Sequence, residues 1–91
     1  RVSGDSMSPV IRSGDYIAVR ELTNIRQIFW GQIYVVILDD YRMVKYIRRH
    51  DDPAMVILRS ENKRYDDMTI YRDEIRDLMF VQNIIHIDTR M

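Results

Sequence analysis

The 91 residues suffice for one domain with one hydrophobic core, and a composition of 46% apolar and 31% charged residues belongs to a folding chain, not a disordered one. Fourteen basic and fourteen acidic side chains cancel, which excludes the excess positive field of a domain that grips nucleic acid by itself. The absence of cysteine removes disulfides, thiolate metal sites and a cysteine nucleophile; with no long apolar run and no basic-then-apolar leader, a cytoplasmic location without a membrane partner is expected.

The first residue is Arg1, so the chain is expected to be cut from a longer protein. Gly4-Asp5-Ser6-Met7-Ser8-Pro9 follows at once, a small, polar stretch with the chemistry of a turn. Whether it is only a turn or also carries a nucleophilic serine cannot be read from these six residues. Ser13-Gly14-Asp15 is a second turn signal, and Tyr16-Ile17-Ala18-Val19-Arg20 after it has the β-branched and aromatic content of a strand. Thr23 to Trp30 carries no clear period. After Gly31, Ile33 to Leu38 is a continuous apolar run of strand length, the pattern of a strand covered on both faces.

Asp39-Asp40 divides that run from Arg42-Met43-Val44-Lys45-Tyr46-Ile47-Arg48-Arg49, and two strands about a short acidic turn predict a β-hairpin. Asp51-Asp52-Pro53 marks the next reversal, with Ala54 to Arg59 as a further strand. Ser60 to Asp67 reads as a polar loop, Arg72 to Asp77 as one helical turn, and Leu78 to Ile87 as a long closing strand. Short strands with turn signals between them and little helical period predict a mostly β fold, a coiled antiparallel sheet or open barrel.

Lys45 alternates with Met43 and Ile47 along one face of its strand. Taken alone, a strand lysine is most simply a solvated edge residue. Among apolar neighbours, however, desolvation lowers an ammonium pKa and leaves an amine able to accept a proton, and a Ser-Lys pair is an established variant of triad chemistry. His50 with Asp51 and Asp52, and His86 with Asp88, lack a metal-ligand spacing and read as surface residues; Arg48-Arg49, with acids close behind, reads as a solvated strand end.

Five stretches in order, Arg1-Val2-Ser3-Gly4-Asp5-Ser6-Met7-Ser8-Pro9, Gly14-Asp15-Tyr16-Ile17-Ala18-Val19, Gly31-Gln32-Ile33-Tyr34-Val35-Val36, Val44-Lys45-Tyr46-Ile47 and Leu58-Arg59-Ser60-Glu61-Asn62, carry a resemblance. In order and spacing they resemble the carboxy-terminal domain of the LexA-type self-cleaving repressors. That superfamily includes UmuD-type mutagenesis proteins, phage repressors and, more distantly, type I signal peptidases. The match runs from Arg1 to about Tyr65; the final strand lacks the glycine that members commonly carry there.

The resemblance implies a LexA/signal-peptidase-like sheet over residues 1–91 as a single peptidase and dimerisation domain, with an amino-terminal DNA-binding domain absent from this chain. It implies Ser6 as nucleophile, Lys45 as general base, and the backbone N–H groups of Asp5 and Ser6 as oxyanion donors. Ser60 and Asn62 match an S-x-N loop and are expected to support the lysine, although both could equally satisfy their own backbone. Met7 is expected to pack or to line the cleft. Asp5 is not expected to act as a triad acid, and neither a metal nor a cofactor is expected. Expected partners are a second copy, the protein's own upstream segment as substrate, DNA through the missing domain, and a recombinase filament as co-protease in an SOS-type response. The alternatives are a dimerisation module that does not cut and a UmuD-like polymerase accessory protein.

Overall fold

The computed structural model describes residues 1–24 and 27–87. Six strands form one sheet: β1 (Tyr16–Glu21), β2 (Ile33–Ile37), β3 (Arg42–Arg49), β4 (Met55–Arg59), β5 (Met68–Tyr71) and β6 (Asp77–Ile85). A single 3₁₀ turn, Arg72–Glu74, is the helical content of the described residues. Spatial order is β1-β6-β2-β3-β4-β5, and every adjacent pair is antiparallel. The expected mostly β, open antiparallel sheet is therefore what forms. No helix among the described residues is long and apolar enough to cross a membrane.

The apolar run of β2 is central because both its edges are paired, to β3 through Tyr34↔Lys45 and Val36↔Met43 and to β6 through Tyr34↔Phe80 and Val36↔Leu78. Tyr34, Val35 and Val36 are all buried, as a strand covered on both faces requires. Tyr34 and Val36 face the main core with Ile47, Val56, Leu58, Ile70, Ile75 and Leu78. The Tyr34 hydroxyl is satisfied there by accepting the Phe29 N–H at 2.9 Å, and its ring meets Phe80 edge-on at 5.5 Å. The β2–β3 hairpin closes from Ile37↔Arg42, with a Leu38 N–H to Tyr41 C=O bond of 2.8 Å. No described non-glycine residue has positive φ, so this acidic turn dispenses with the glycine that a two-residue hairpin favours.

Beyond shifts of one residue at strand ends, three elements differ from the sequence reading. β5 falls within a stretch without a strand signal, since only Ile70 of its four residues is buried and a period cannot show in one position. The helical turn is shorter than Arg72 to Asp77, because Asp77 already pairs with Ile37 in β6. The closing strand ends at Ile85, leaving His86 and Ile87 outside the ladder, while Asp88 lies outside the described residues. Between Ala18 and Val19 the β1–β6 register shifts, with Asn83 opposite the first and Val81 opposite the second, so Gln82 is the extra residue of a bulge.

Candidate active site

The Ser6 turn is built by a glycine, two apolar anchors and backbone bonds. Gly4 has φ of 87°, a left-handed conformation that a side chain would strain, which is the physical content of the glycine at this position. Met7 and Ile11 are buried and linked by an Ile11 N–H to Met7 C=O bond of 2.9 Å, while the Ser8 N–H reaches Asp5 C=O at 3.1 Å. The approach to the turn is pinned as well: Val2 donates to Asp15 C=O and accepts from the Gly14 N–H, each at 2.8 Å.

Lys45 lies on the core-facing side of β3, in line with Met43 and Ile47 and directly across from buried Tyr34, and only 8% of it is exposed. That placement desolvates the ammonium and holds the lysine below its ordinary pKa of 10.5. Its Nζ donates to Ser60 Oγ at 2.8 Å, and Ser60 is itself buried at the end of β4. The ammonium also sits 5.7 Å from the centroid of the Tyr65 ring, within cation–π range.

The loop following β4 joins the surroundings of Lys45 to the serine turn. The Asn62 N–H donates to Ser6 C=O at 2.9 Å, Asn62 Nδ2 to Asp5 C=O at 3.1 Å, and the Glu61 N–H to Met7 Sδ at 3.4 Å. Asn62 serves its own loop too, its Oδ1 accepting the Arg64 N–H at 3.0 Å. Asn62 therefore satisfies its own loop and holds the serine turn, while the hydrogen-bond partner of Lys45 is Ser60. Ser60 meets Lys45 directly, and the lysine's hydrogen bond runs to Ser60 and not to Ser6. Ser6 and Lys45 nonetheless line one cleft of about 400 Å³, together with Met7, Ile17, Val19, Val35 and Val44.

These contacts bring the sequence-selected Ser6, Lys45, Ser60, Asn62 and Asp5 into one neighbourhood, with a serine turn and a desolvated lysine on the same cleft. A family model described as Peptidase S24-like matches residues 1–81. The chain belongs to the Peptidase S24-like family. It is also 32% identical, over 79 residues, to the repressor protein CI of Enterobacteria phage phi80, an alignment covering 87% of this chain and 32% of that relative. The chain thus spans about a third of the length of the curated relative it matches.

Two residues of this S24-like chain escaped sequence reasoning. Tyr65 was part of a polar loop, yet its hydroxyl donates to Asp5 Oδ1 at 2.5 Å and its ring faces Lys45. Asp15 was part of a turn signal, yet it is 2% exposed and accepts from the Arg12 N–H at 2.8 Å and the Ile87 N–H at 3.3 Å, with His86 Nδ1 at 2.6 Å. His86 is half exposed and turned to Asp15, and His50 accepts the Asp52 N–H at 2.9 Å in its own turn.

Proposed function

We propose that this chain is the peptidase and self-association domain of a phage-type transcriptional repressor, and that Ser6 and Lys45 form a dyad that cuts the protein's own upstream segment. One observation carries the reading: a lysine buried in the sheet, with its pKa held down, opens onto the cleft that Ser6 lines. The neutral Lys45 amine takes the Ser6 hydroxyl proton as Oγ attacks the scissile carbonyl. The resulting oxyanion is received by the N–H groups of Asp5 and Ser6, neither of which is committed to another backbone carbonyl among the described residues. Lys45 then gives its proton to the departing amine, and water, deprotonated in turn by Lys45, hydrolyses the acyl-serine. Cleavage would release the DNA-binding part of a repressor from the part that pairs two copies, and two half-sites require that pairing.

The hydrogen bond of Lys45 to Ser60 in place of Ser6 favours a second reading, a domain that keeps the fold and self-associates without cutting. Incubating the full-length protein from neutral pH toward the ordinary lysine value of 10.5 separates the two. Self-cleavage should accelerate as pH rises and should be lost in Ser6→Ala. A wild type that stays intact throughout, or a Ser6→Ala protein cut at the same rate, rejects the dyad. Sedimentation that finds a strict monomer at high concentration rejects the self-association common to both readings.

A further inference from the structure

Among the described residues, Tyr65 touches both halves of the dyad neighbourhood and has no part in the mechanism above. Tyr65 lies on the loop after β4, and its two ends have different partners: the hydroxyl donates to the carboxylate of Asp5, the residue before Ser6, and the ring faces the Lys45 ammonium at 5.7 Å. Asp5 keeps the phenol protonated, since both the hydrogen bond and the carboxylate charge raise the Tyr65 pKa. The phenol is therefore a fixed donor and the ring a neutral π face across the working pH range.

We propose that Tyr65 is a positioning residue of the Ser6–Lys45 dyad, its hydroxyl fixing the serine turn through Asp5 while its ring holds the lysine. This rests on the dyad reading of the same cleft. The two functions act on different properties. The hydroxyl fixes where Ser6 sits and has no direct bearing on the lysine's charge. The ring attracts the ammonium and not the free amine, so it opposes the desolvation that lowers the Lys45 pKa. Lys45 Nζ donates to the Ser60 hydroxyl, its cleft is shared by Ser6 and by the cations Arg1 and Arg42, and the Asp5 carboxylate accepts the Tyr65 hydroxyl.

Two variants divide the roles. Tyr65→Phe keeps the ring and deletes the hydroxyl; Tyr65→Leu deletes both and keeps an apolar cover, so the difference between the two isolates the ring. The Lys45 titration, followed in this chain by heteronuclear NMR of the lysine side chain, is expected to stay in place in Tyr65→Phe. In Tyr65→Leu it should move down by about half a pH unit, the size of an exposed cation–π contact. In the full-length protein Tyr65→Phe should slow self-cleavage several-fold without moving the midpoint of its pH profile, whereas Tyr65→Leu should move that midpoint down with the titration. A Lys45 titration that does not respond to Tyr65→Leu, or that moves equally in both variants, overturns the inference. An intact wild type combined with the expected titration shift rejects the dyad reading while leaving the Tyr65–Lys45 contact established.

Discussion

Asp15 and Lys45 are both titratable side chains removed from water, and both have lowered pKa values, yet the same direction means opposite things. Asp15 is lowered first by the Arg12 N–H, then also by His86 and the Ile87 N–H, against desolvation, so its surroundings stabilise the charged form. Lys45 is lowered by desolvation, so its surroundings destabilise the charged form. Asp15 ties the serine approach to the chain just past the last strand: its backbone C=O accepts the Val2 N–H, and its carboxylate meets His86 and the Ile87 N–H. The lysine is a charge kept in an unfavourable place. On the proposed function, such a sheltered and incompletely paired group is a base held in readiness.

The comparison breaks most sharply on activity. Lys45→Ala should slow self-cleavage of the full-length protein by roughly 100- to 10,000-fold, the usual worth of a positioned general base, while the circular dichroism spectrum stays that of the wild type. Asp15→Asn should do the reverse, lowering the denaturant midpoint at neutral pH while the folded fraction still cleaves. The Asp15 variant should also be distinguished by acid. A depressed carboxylate contributes stability that is complete above its ordinary pKa of 3.8 and is lost as pH falls through its lower folded value. The midpoints of wild type and Asp15→Asn should therefore converge below pH 3.8.

For Lys45 stability also rises with pH, but as the relief of a burial penalty and not as the gain of a favourable interaction. Between its lowered folded pKa and the ordinary 10.5 the unfolded chain binds more protons, so stability rises with pH across that window. Lys45→Met, which keeps the apolar stem, should be more stable than wild type at neutral pH, and the advantage should shrink as pH approaches 10.5. The smallest effect belongs to Ser60→Ala, which deletes the partner of Lys45 Nζ but leaves its burial; a rate change of at most about tenfold matches one hydrogen bond. A Ser60→Ala loss as large as that of Lys45→Ala would move the serine from support into the proton path.

The same contrast explains what could be read in the sequence. Ile33 to Leu38 and the alternation around Lys45 marked β2, β3 and their hairpin because hydrophobic period acts over neighbouring residues, and the motif Leu58-Arg59-Ser60-Glu61-Asn62 singled out Ser60, which meets Lys45, and Asn62, which meets the Asp5 C=O. Asp15 looked like turn chemistry because the partners that bury its carboxylate, His86 and Ile87, come from the far end of the chain. Tyr65 was hidden likewise, since its partners stand 60 and 20 positions away, at Asp5 and Lys45. β5 had too few buried residues to produce a period. Local pattern shows strands, but long-range polar pairing is written only in three dimensions.

The most direct test lays two pH curves over one another: the self-cleavage rate of the full-length protein and the NMR titration of Lys45 in the same buffer. The account predicts a common midpoint below 10.5, with cleavage rising as the lysine loses its proton. A lysine that titrates at or above 10.5, or a cleavage midpoint that departs from the lysine's own, would contradict it.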